Sequence, residues 1–579
     1  MLSLLVLGSA GCNQSVAPVP PSIVLISVDT LRADRLSLYG YPRPTTPVLD
    51  RWAAERAAVF ENTVAPAAWT VPSHLSMLTG LDAWRHGFNH DVGSLGRSLA
   101  AKVEAPLLAE RLRDAGYTTA AETGGAYLAE AYGFNRGFDT YAAWPRPERF
   151  EVELTTLVDR AIEFVSRPHS TPYFFFLHTY DVHDPYRCTS DRWSEITDVP
   201  APPKGTRIAL LSQKPSPESG YQKQSEFQLR PLRSKVTLTP ELINACYDAG
   251  VARMDAEVGR LLRALESAPG PTPLVILTSD HGEALGEYGR IGHNRLDDAN
   301  LMVPLIIADP AGRGAGMRVE RQVRLLDLVP TVLELLGQPA ADGLDGRSLV
   351  PLMEGESAEI PPVAWSYSAT GNRGISMRHG NRLKAIFPNT VWAPVRTPIE
   401  VFDLRQDPEE VHALENPELA GRLTASIHRS FTDHAVGLRL RLVNGGAEPF
   451  EGVIRSRSVS VQGVKSTDLA CPCLEFETPD GARLRVQPGE DFTLHFERIL
   501  GTHLNLETAG GSFRLPVADL NGRGTYRIDE DGTPHAVDGP LGRGVLGLEL
   551  WWHGIGPVAG EPIEYDPELR RQLESLGYL

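Results

Sequence analysis

Three continuous apolar runs constrain this chain more than any other feature: "SIVLISVD" reaching Asp29, "PYFFFLHTYDVHDPY" carrying His178, Asp181 and His183, and "TPLVILTSDHG" reaching Asp280 and His281. A strand that is apolar at every position, and not merely at every second one, must be covered on both faces. That is the situation of a parallel sheet sandwiched by helices. Helical segments lie between the runs. "TPELINACYDAGVARMDAEVGRLLRALES" has Thr239 as N-cap, Pro240 at the first helical position, and Leu242, Cys246, Ala249, Leu261, Leu262 and Leu265 at near-helical spacing. "APLLAERLRDAGY" is a shorter helix stopped by Gly116. Strands alternating with helices predict an α/β domain with a mostly parallel core, over residues 22–430. Open sheets of this kind hold ligands beyond the carboxyl ends of their strands, so the acids and histidines that end the three runs are expected to share one crevice.

The texture changes after that domain. "AVGLRLRLVNGG" alternates Val436, Leu438, Leu440 and Leu442 with Gly437, Arg439 and Arg441, and "FTLHFERI" and "VLGLELWW" behave alike. Residues 436–556 therefore read as an all-β, sandwich-like domain, and residues 557–579 as a short helical tail. A chain of 579 residues with 42% hydrophobic content has room for both cores.

Charge limits the partners. A formal net charge of −17 excludes general binding to nucleic acid, whose phosphates repel an acidic surface. An anionic substrate would need a local positive pocket. The insertion at about 187–238 supplies a candidate: Lys204, Arg207, Lys214, Lys223, Arg230, Arg233 and Lys235 stand against Glu218 and Glu226, as a collar for an anion or as a solvated loop.

The start, "MLSLLVLGSAGCNQSVAPVPPS", reads over residues 1–21 as a signal segment and linker. Ser9-Ala10-Gly11-Cys12 is similar to a bacterial lipobox, although no basic residue precedes the apolar run and Leu is missing three positions before the Cys. The expectation is an exported lipoprotein, periplasmic or on the cell surface, touching membrane only through a lipid at Cys12. Lipidation there leaves Cys188, Cys246, Cys471 and Cys473, an even set able to pair in an oxidising compartment. Direct pairing of Cys471 with Cys473 is disfavoured by disulfide geometry.

In "APAAWTVPSHLSMLTG", Thr70 precedes a Val-Pro-Ser-His turn that enters an apolar helix, and is either that helix's cap or a nucleophile. Asp29, Asp280 and His281 offer two hard oxygens and an imidazole, enough to hold a divalent cation with the Thr70 oxygen as a further ligand. A hydroxyl beside such an ion ionises more readily and serves as a nucleophile near neutral pH.

These segments resemble the sulfatases of the alkaline phosphatase superfamily. The resemblance runs in order from "VLISVDTLRADRLSLYGYPRPTTPVLD" through "AWTVPSHLSMLTG", "HDPY", "TSDHGEALGEYG" with a following "GH", "VPLIIADP" and "VFDLRQDPEE", about residues 22 to 415, and "LRRQLESLGYL" is similar to the end of many bacterial members. It implies an alkaline-phosphatase-like mixed, mostly parallel sheet flanked by helices. It further implies Asp29, Asp280 and His281 as metal ligands, position 70 as the metal-bound nucleophile, and His183 and His293 as groups meeting the ester's oxygens or the leaving group. His74 and His178 are the candidate substrate-binding residues. The implied cofactor is one divalent ion, calcium by resemblance, with zinc or manganese also suited to a set containing a histidine.

The departures are chemical. Sulfatases place Cys or Ser at the nucleophile position within Cys-x-Pro-x-Arg and convert it to formylglycine, whereas this chain has Thr70 and, in place of the Arg, His74. No formylglycine is expected. Its hydrate carries two hydroxyls, one to take the sulfuryl group and one to expel it; Thr70 has a single hydroxyl, so a covalent adduct would need direct attack by water or another acceptor. The second acid usual at the first strand end is Thr30, and the basic sulfate-binding segment is matched by Thr123-Gly124-Gly125-Ala126-Tyr127 without Lys or His. The leading reading is a metal-dependent hydrolase of sulfate or phosphate esters acting through Thr70 on an anionic substrate, such as a glycan or lipid head group. A phosphodiesterase or phosphoryl-group transferase acting on cell-envelope material is the second, and an inactive binding protein the third.

Overall fold

The computed structural model describes residues 20–86, 103, 105–144, 153–209, 230–231, 239–293, 295–357, 360–361, 363–368, 374–388, 399–424, 437–455, 464–465, 474–478, 481–496, 503–516, 523–539, 541 and 545–553. Its largest sheet has nine strands: β1 (Ile23–Val28), β2 (Ala58–Val64), β3 (Thr118–Thr123), β4 (Thr140–Ala143), β5 (Tyr173–Thr179), β6 (Leu274–Thr278), β7 (Met302–Ala308), β8 (Arg318–Val319) and β9 (Val323–Arg324). They lie in the order β8-β2-β7-β6-β1-β5-β3-β4, with β9 also on β2. The centre is parallel, β1 pairing with both β5 and β6, and only β7 runs against its neighbours β6 and β2. This is the mixed, mostly parallel sheet expected from the sequence.

The continuous apolar character of β1 has a direct cause. Ile23 and Leu25 enter one core with Val71, Leu75 and Leu78, while Val24, Ile26 and Val28 enter a second core with Leu242, Leu261 and Leu265. Each of those buried aliphatic side chains stabilises the fold by roughly 1.5–3 kcal/mol, so both faces of the strand contribute. The covering helices are α1 (Thr70–Thr79), α2 (Leu108–Asp114) and α3 (Pro240–Ser267). As predicted, Pro240 opens α3 and the Thr239 hydroxyl accepts from the Leu242 amide at 3.3 Å. Gly116, just past α2, has φ of 90°, the left-handed turn that ends a helix most easily at glycine.

A small antiparallel sheet follows, in the order β10 (Val363–Ser368), β11 (Gly374–His379), β12 (Leu383–Pro388), β13 (Glu400–Asp403). It clamps the segment that leads into α1. The Tyr367 amide donates to Pro66 O at 2.9 Å, the Ala68 amide donates to Tyr367 O at 3.2 Å, and the Ser366 hydroxyl donates to Ala65 O at 2.6 Å. The same sheet is tied to the loop after His293 by Lys384. This lysine is fully buried, its Nζ 2.6 Å from Asp298 Oδ1 and 2.5 Å from Glu410 Oε1.

Two further antiparallel sheets lie within residues 437–553. The first contains Gly437–Asn444, Asp491–Phe496, Arg523–Ile528 and Leu546–His553, and the second Phe450–Arg455, Gly481–Val486, His503–Thr508 and Gly511–Pro516. The alternation read from the sequence is the packing pattern: Leu438, Leu440 and Leu442 are fully buried in a core shared with Ile454, Leu484 and Leu506.

Of the cysteine set, Cys188 and Cys246 form a disulfide across 58 residues, tying the loop beyond β5 to α3. The signal segment with Cys12, residues 210–229 and 232–238 of the basic insertion, Cys471, Cys473 and the tail 557–579 lie outside the described residues. Among the described residues no helix is long and apolar enough to cross a membrane.

Replacing Lys384 by Met should leave Glu410 buried without its cation and Asp298 with Arg378 alone. Removing one partner from a buried ion cluster costs about 3–5 kcal/mol, so denaturant unfolding should show a loss of that order, whereas a change below about 1 kcal/mol would show that the clamp sheet does not depend on this charge.

Candidate active site

The register of the central strands sets one row of side chains at the sheet's carboxyl edge, because Ser27 on β1 is opposite His178 on β5 and Thr278 on β6. Asp29 follows directly after the strand, its amide donating to Thr179 O at 2.9 Å and fixing the mouth between β1 and β5. Thr30, where a second acid is usual, has φ of 56° and turns its hydroxyl back onto Asp29 O at 2.7 Å. The loops beyond β1 and β6 are locked together by Ser279, whose Oγ accepts from the Leu31 amide at 3.0 Å and donates to His281 O at 2.7 Å.

Thr70 is not the helix cap. It is the first residue of α1, capped by Trp69 with no side-chain bond, and its Oγ1 donates to Asp29 Oδ2 at 3.2 Å and lies 3.5 Å from His281 Nε2. Its oxygen thus sits at the positive end of a ten-residue helix, where an anion is favoured. His281 donates from Nδ1 to Gly282 O at 2.9 Å, which leaves the Nε2 lone pair facing Asp29 and Asp280 at 3.9 and 3.5 Å. Gly282 is obligatory here: its amide donates to Asn300 O at 2.7 Å, and a Cβ would lie 2.2 Å from Ala299 O.

The charges in this pocket conflict without a cation. Burial, then Asp280 and Glu283, push the Asp29 carboxyl well above the usual carboxylate range. Burial acts on Asp280 in the same direction, but His281, His74 and His178 outweigh it and bring that group to about 2. Asp29 Oδ1 and Asp280 Oδ2 are both enclosed and accept no hydrogen bond. Together with the His281 lone pair, ligand atoms of Asp29, Asp280 and His281 come within 4.8 Å of one another. Two orphaned carboxylate oxygens and an imidazole nitrogen facing a common point fit a divalent cation.

The remaining predicted residues fall into two groups. His74 lies beneath α1, fully buried, its Nε2 3.0 Å from Ser27 Oγ and its Nδ1 2.9 Å from Thr70 O and 3.4 Å from Asp280 Oδ2. His178 is equally buried beside it, ring centroids 5.1 Å apart, with Nε2 3.5 Å from Asp29 Oδ2. Burial lowers the pKa of both, for His178 with His74 as the next cause, so a positive charge is harder to hold on either than on Arg or Lys. His183 and His293, by contrast, face the open side: their Nε2 atoms are 3.2 Å apart and the His183 side chain is 22% exposed. Asp181 belongs elsewhere, paired with Arg187 and Arg253.

Sequence reading passed over Glu283 and Tyr186. Glu283 is buried beside the pocket and accepts from the Tyr186 hydroxyl at 2.6 Å; its place two residues after His281 was the available signal.

Asp29, Thr70, Asp280 and His281 thus converge beyond the strand ends of an α/β sheet, and three of them could hold a metal ion. Comparison with known proteins gives the family. The sulfatase family model matches residues 21–338, and one described as "N-sulphoglucosamine sulphohydrolase, C-terminal" matches residues 286–436. The chain belongs to the sulfatase family, within the alkaline phosphatase superfamily, and is a sulfatase-like hydrolase of sulfuric or phosphoric esters. The "multifunctional alkaline phosphatase superfamily protein PehA" of Trinickia caryophylli is 26% identical over 417 residues, covering 59% of this chain and 78% of that protein. The phosphonate monoester hydrolase of Agrobacterium radiobacter superposes with a TM-score of 0.53 at 20% identity, over 72% of this chain and 95% of its own. A structure solved with its substrate D-glucosamine-2-N,6-O-disulfate gives 0.55 at 20% identity, over 72% and 98%.

Gly282→Ala is expected to push His281 out of line through the contact with Ala299 O. Displacing a group that orients a ligand typically costs 10–100-fold in metal affinity, so chelator competition should show at least about a 10-fold loss; unchanged affinity would remove His281 from the ligand set.

Proposed function

We propose that this protein hydrolyses a phosphate, phosphonate or sulfate ester through a covalent Thr70 adduct, with Asp29, Asp280 and His281 holding one divalent cation. The observation that carries this reading is the Thr70 hydroxyl, enclosed yet aimed at Asp29 Oδ2 and His281 Nε2. When bound, a cation there would favour the ionised hydroxyl and offset charge on the non-bridging oxygens of the ester.

The protein's own groups account for the rest. Asp29 Oδ2 receives the Thr70 proton along the existing hydrogen bond, and Thr70 Oγ1 forms its bond to phosphorus or sulfur as the bond to the leaving oxygen breaks. His183 and His293, on the open side, bring one positive charge to that leaving oxygen; a proton shared between their Nε2 atoms is the simplest form of it. A water then attacks the adduct, giving its proton to the His183/His293 pair that protonated the leaving oxygen, and Thr70 recovers its proton from Asp29 as its oxygen departs. His74 positions the nucleophile from behind, through Thr70 O and Ser27. Direct hydrolysis of the adduct suits phosphorus better than sulfur, since a single hydroxyl has no second oxygen to expel sulfate.

The substrate class inferred is an anionic ester on a glycan or a lipid head group. The substrate named for the glucosamine disulfate complex supports the former. Export, with lipid attachment at Cys12, is supported by the sequence of residues 1–21 and by the Cys188–Cys246 pairing, which an oxidising compartment favours.

The test is hydrolysis of 4-nitrophenyl sulfate, 4-nitrophenyl phosphate, bis(4-nitrophenyl) phosphate and a 4-nitrophenyl phosphonate by the metal-reconstituted protein and Thr70→Ala. Loss of a nucleophile should cut kcat by at least about 1,000-fold with metal content unchanged, and the phosphorus esters should be the faster substrates. Full turnover in Thr70→Ala would refute the covalent route.

A further inference from the structure

We propose that Tyr288, at the tip of the hairpin that joins Glu283 to His293, is a platform on which the glycan carrying the scissile ester lays a neighbouring sugar ring. This deepens the reading above, on which it rests, by choosing a glycan over a lipid head group and naming a residue that recognises it.

Three observations carry it. First, the hairpin springs from the site itself. Ala284–Leu285 pairs antiparallel with Ile291–Gly292, so Tyr288 lies five residues from both Glu283 and His293, and a chain of that length spans at most roughly 18 Å. Second, Tyr288 holds a backbone conformation that suits glycine. The hairpin is left-handed at Gly286, Tyr288, Gly289 and Gly292, with φ of 110°, 50°, 73° and 77°, and glycine fills every such position except the one that carries the ring. A bulky side chain in that region is strained, and residues kept under strain gather at sites that use them. Third, the ring gains nothing by burial. Tyr288 is 59% exposed, more than any other large hydrophobic residue among those described. Nor does the hairpin need the ring as an anchor. Glu287 accepts from Arg32 at 2.6 Å and from Arg35 at 2.8 Å, and Arg290 donates to Glu409 O at 3.3 Å and to Glu410 O at 2.6 Å. A strained, exposed aromatic on a fixed turn beside the site is accounted for by what it meets from solvent.

The groups around the ring select the occupant. A pyranose presents an apolar C–H face and a rim of hydroxyls, which an aromatic face meets well when an acceptor and a donor stand at its edge. Tyr288 gives the face. The exposed Glu409 carboxylate accepts from the Tyr288 hydroxyl and has further lone pairs for the hydroxyls of a sugar. Arg290, its guanidinium 6.0 Å over the ring, adds the donor. A glycerol or ethanolamine head group has no flat face to lay on the ring and would gain little from it.

The experiment is calorimetric titration of the metal-reconstituted, full-length protein with tetrasaccharides from heparin, chondroitin sulfate, carrageenan and phosphorylated mannan, and with glycerophosphoethanolamine. Thr70→Ala serves as the background, so that a bound ester is not turned over, and Tyr288→Gly and Tyr288→Phe are each compared in it. At least one tetrasaccharide should bind. Tyr288→Gly should weaken that binding about 10-fold, the measure of a lost aromatic contact, and Tyr288→Phe, which keeps the ring, by less than about 3-fold. The melting temperature of Tyr288→Gly should be no lower than that of the background, because glycine relieves the strain. The proposal is overturned if no tetrasaccharide binds, if Tyr288→Gly binds as tightly as the background, if its melting temperature falls, or if glycerophosphoethanolamine loses as much affinity as the glycan. Turnover of 4-nitrophenyl phosphate by Thr70→Ala would refute the covalent route instead, and the titration would still decide the platform.

Discussion

Three carboxylates buried at the carboxyl edge of one sheet are the constraint on which the rest of the structure depends. Asp29 is destabilised as an anion by its own burial and by Asp280 and Glu283 beside it. Unlike charges at a surface, these cannot be screened by water, so the protein must hold them in place and supply something positive. The holding is done by backbone-directed bonds, Ser279 linking the loops beyond β1 and β6 and the Asp29 amide joining β1 to β5. Burial works against a positive charge on His74 and His178. The enclosed oxygens of Asp29 and Asp280, which accept no hydrogen bond, are the atoms a divalent cation would meet there.

Thr70 is the chemical compromise in this arrangement. A formylglycine hydrate expels sulfate by collapsing to the aldehyde, and a threonine has no such collapse available. What it retains is a fixed hydroxyl at a helix start, which on the proposed reading is enough for transfer to phosphorus. His183, whose side chain is 22% exposed, lies on the open side of the site. Membership of the sulfatase family thus settles the scaffold and the reaction class, while the substitutions at positions 30, 70 and 74 argue for different chemistry on it.

Much of this was legible in the sequence because periodicity reports burial. β1 and β6 span the apolar runs residue for residue, since both faces of each strand are covered, and α3 begins where Thr239 and Pro240 said it would. The polar residues after those runs were legible for the same reason, as they mark the strand ends. What could not be read depends on which strand ends become neighbours. Glu283 gains its meaning only beside Tyr186, nearly a hundred residues away, and His74 is a buried positioning group only because Ser27 and Asp280 close over it. The disulfide belongs to the same category: an even set of cysteines was visible, and the pair Cys188–Cys246 was a matter of tertiary contact. Likewise the clamp sheet β10–β13 was merged into the long α/β segment, because strands of six or fewer residues carry too little pattern to announce a separate sheet.

That clamp has a consequence for the order in which the protein becomes active during synthesis. Every side chain assigned to the site lies at or before His293, yet the segment entering α1 is held by Ser366 and Tyr367, and the loop after His293 is tied through Lys384 to Glu410. A nascent chain that has emerged as far as His293 therefore carries every residue of the candidate site without the later contacts that complete its alignment. Domains fold as units once their sequence is available, so the site closes only after more than a hundred further residues have left the ribosome. Such a delay would keep Thr70 and the acids around it from being brought together while the chain is still being made.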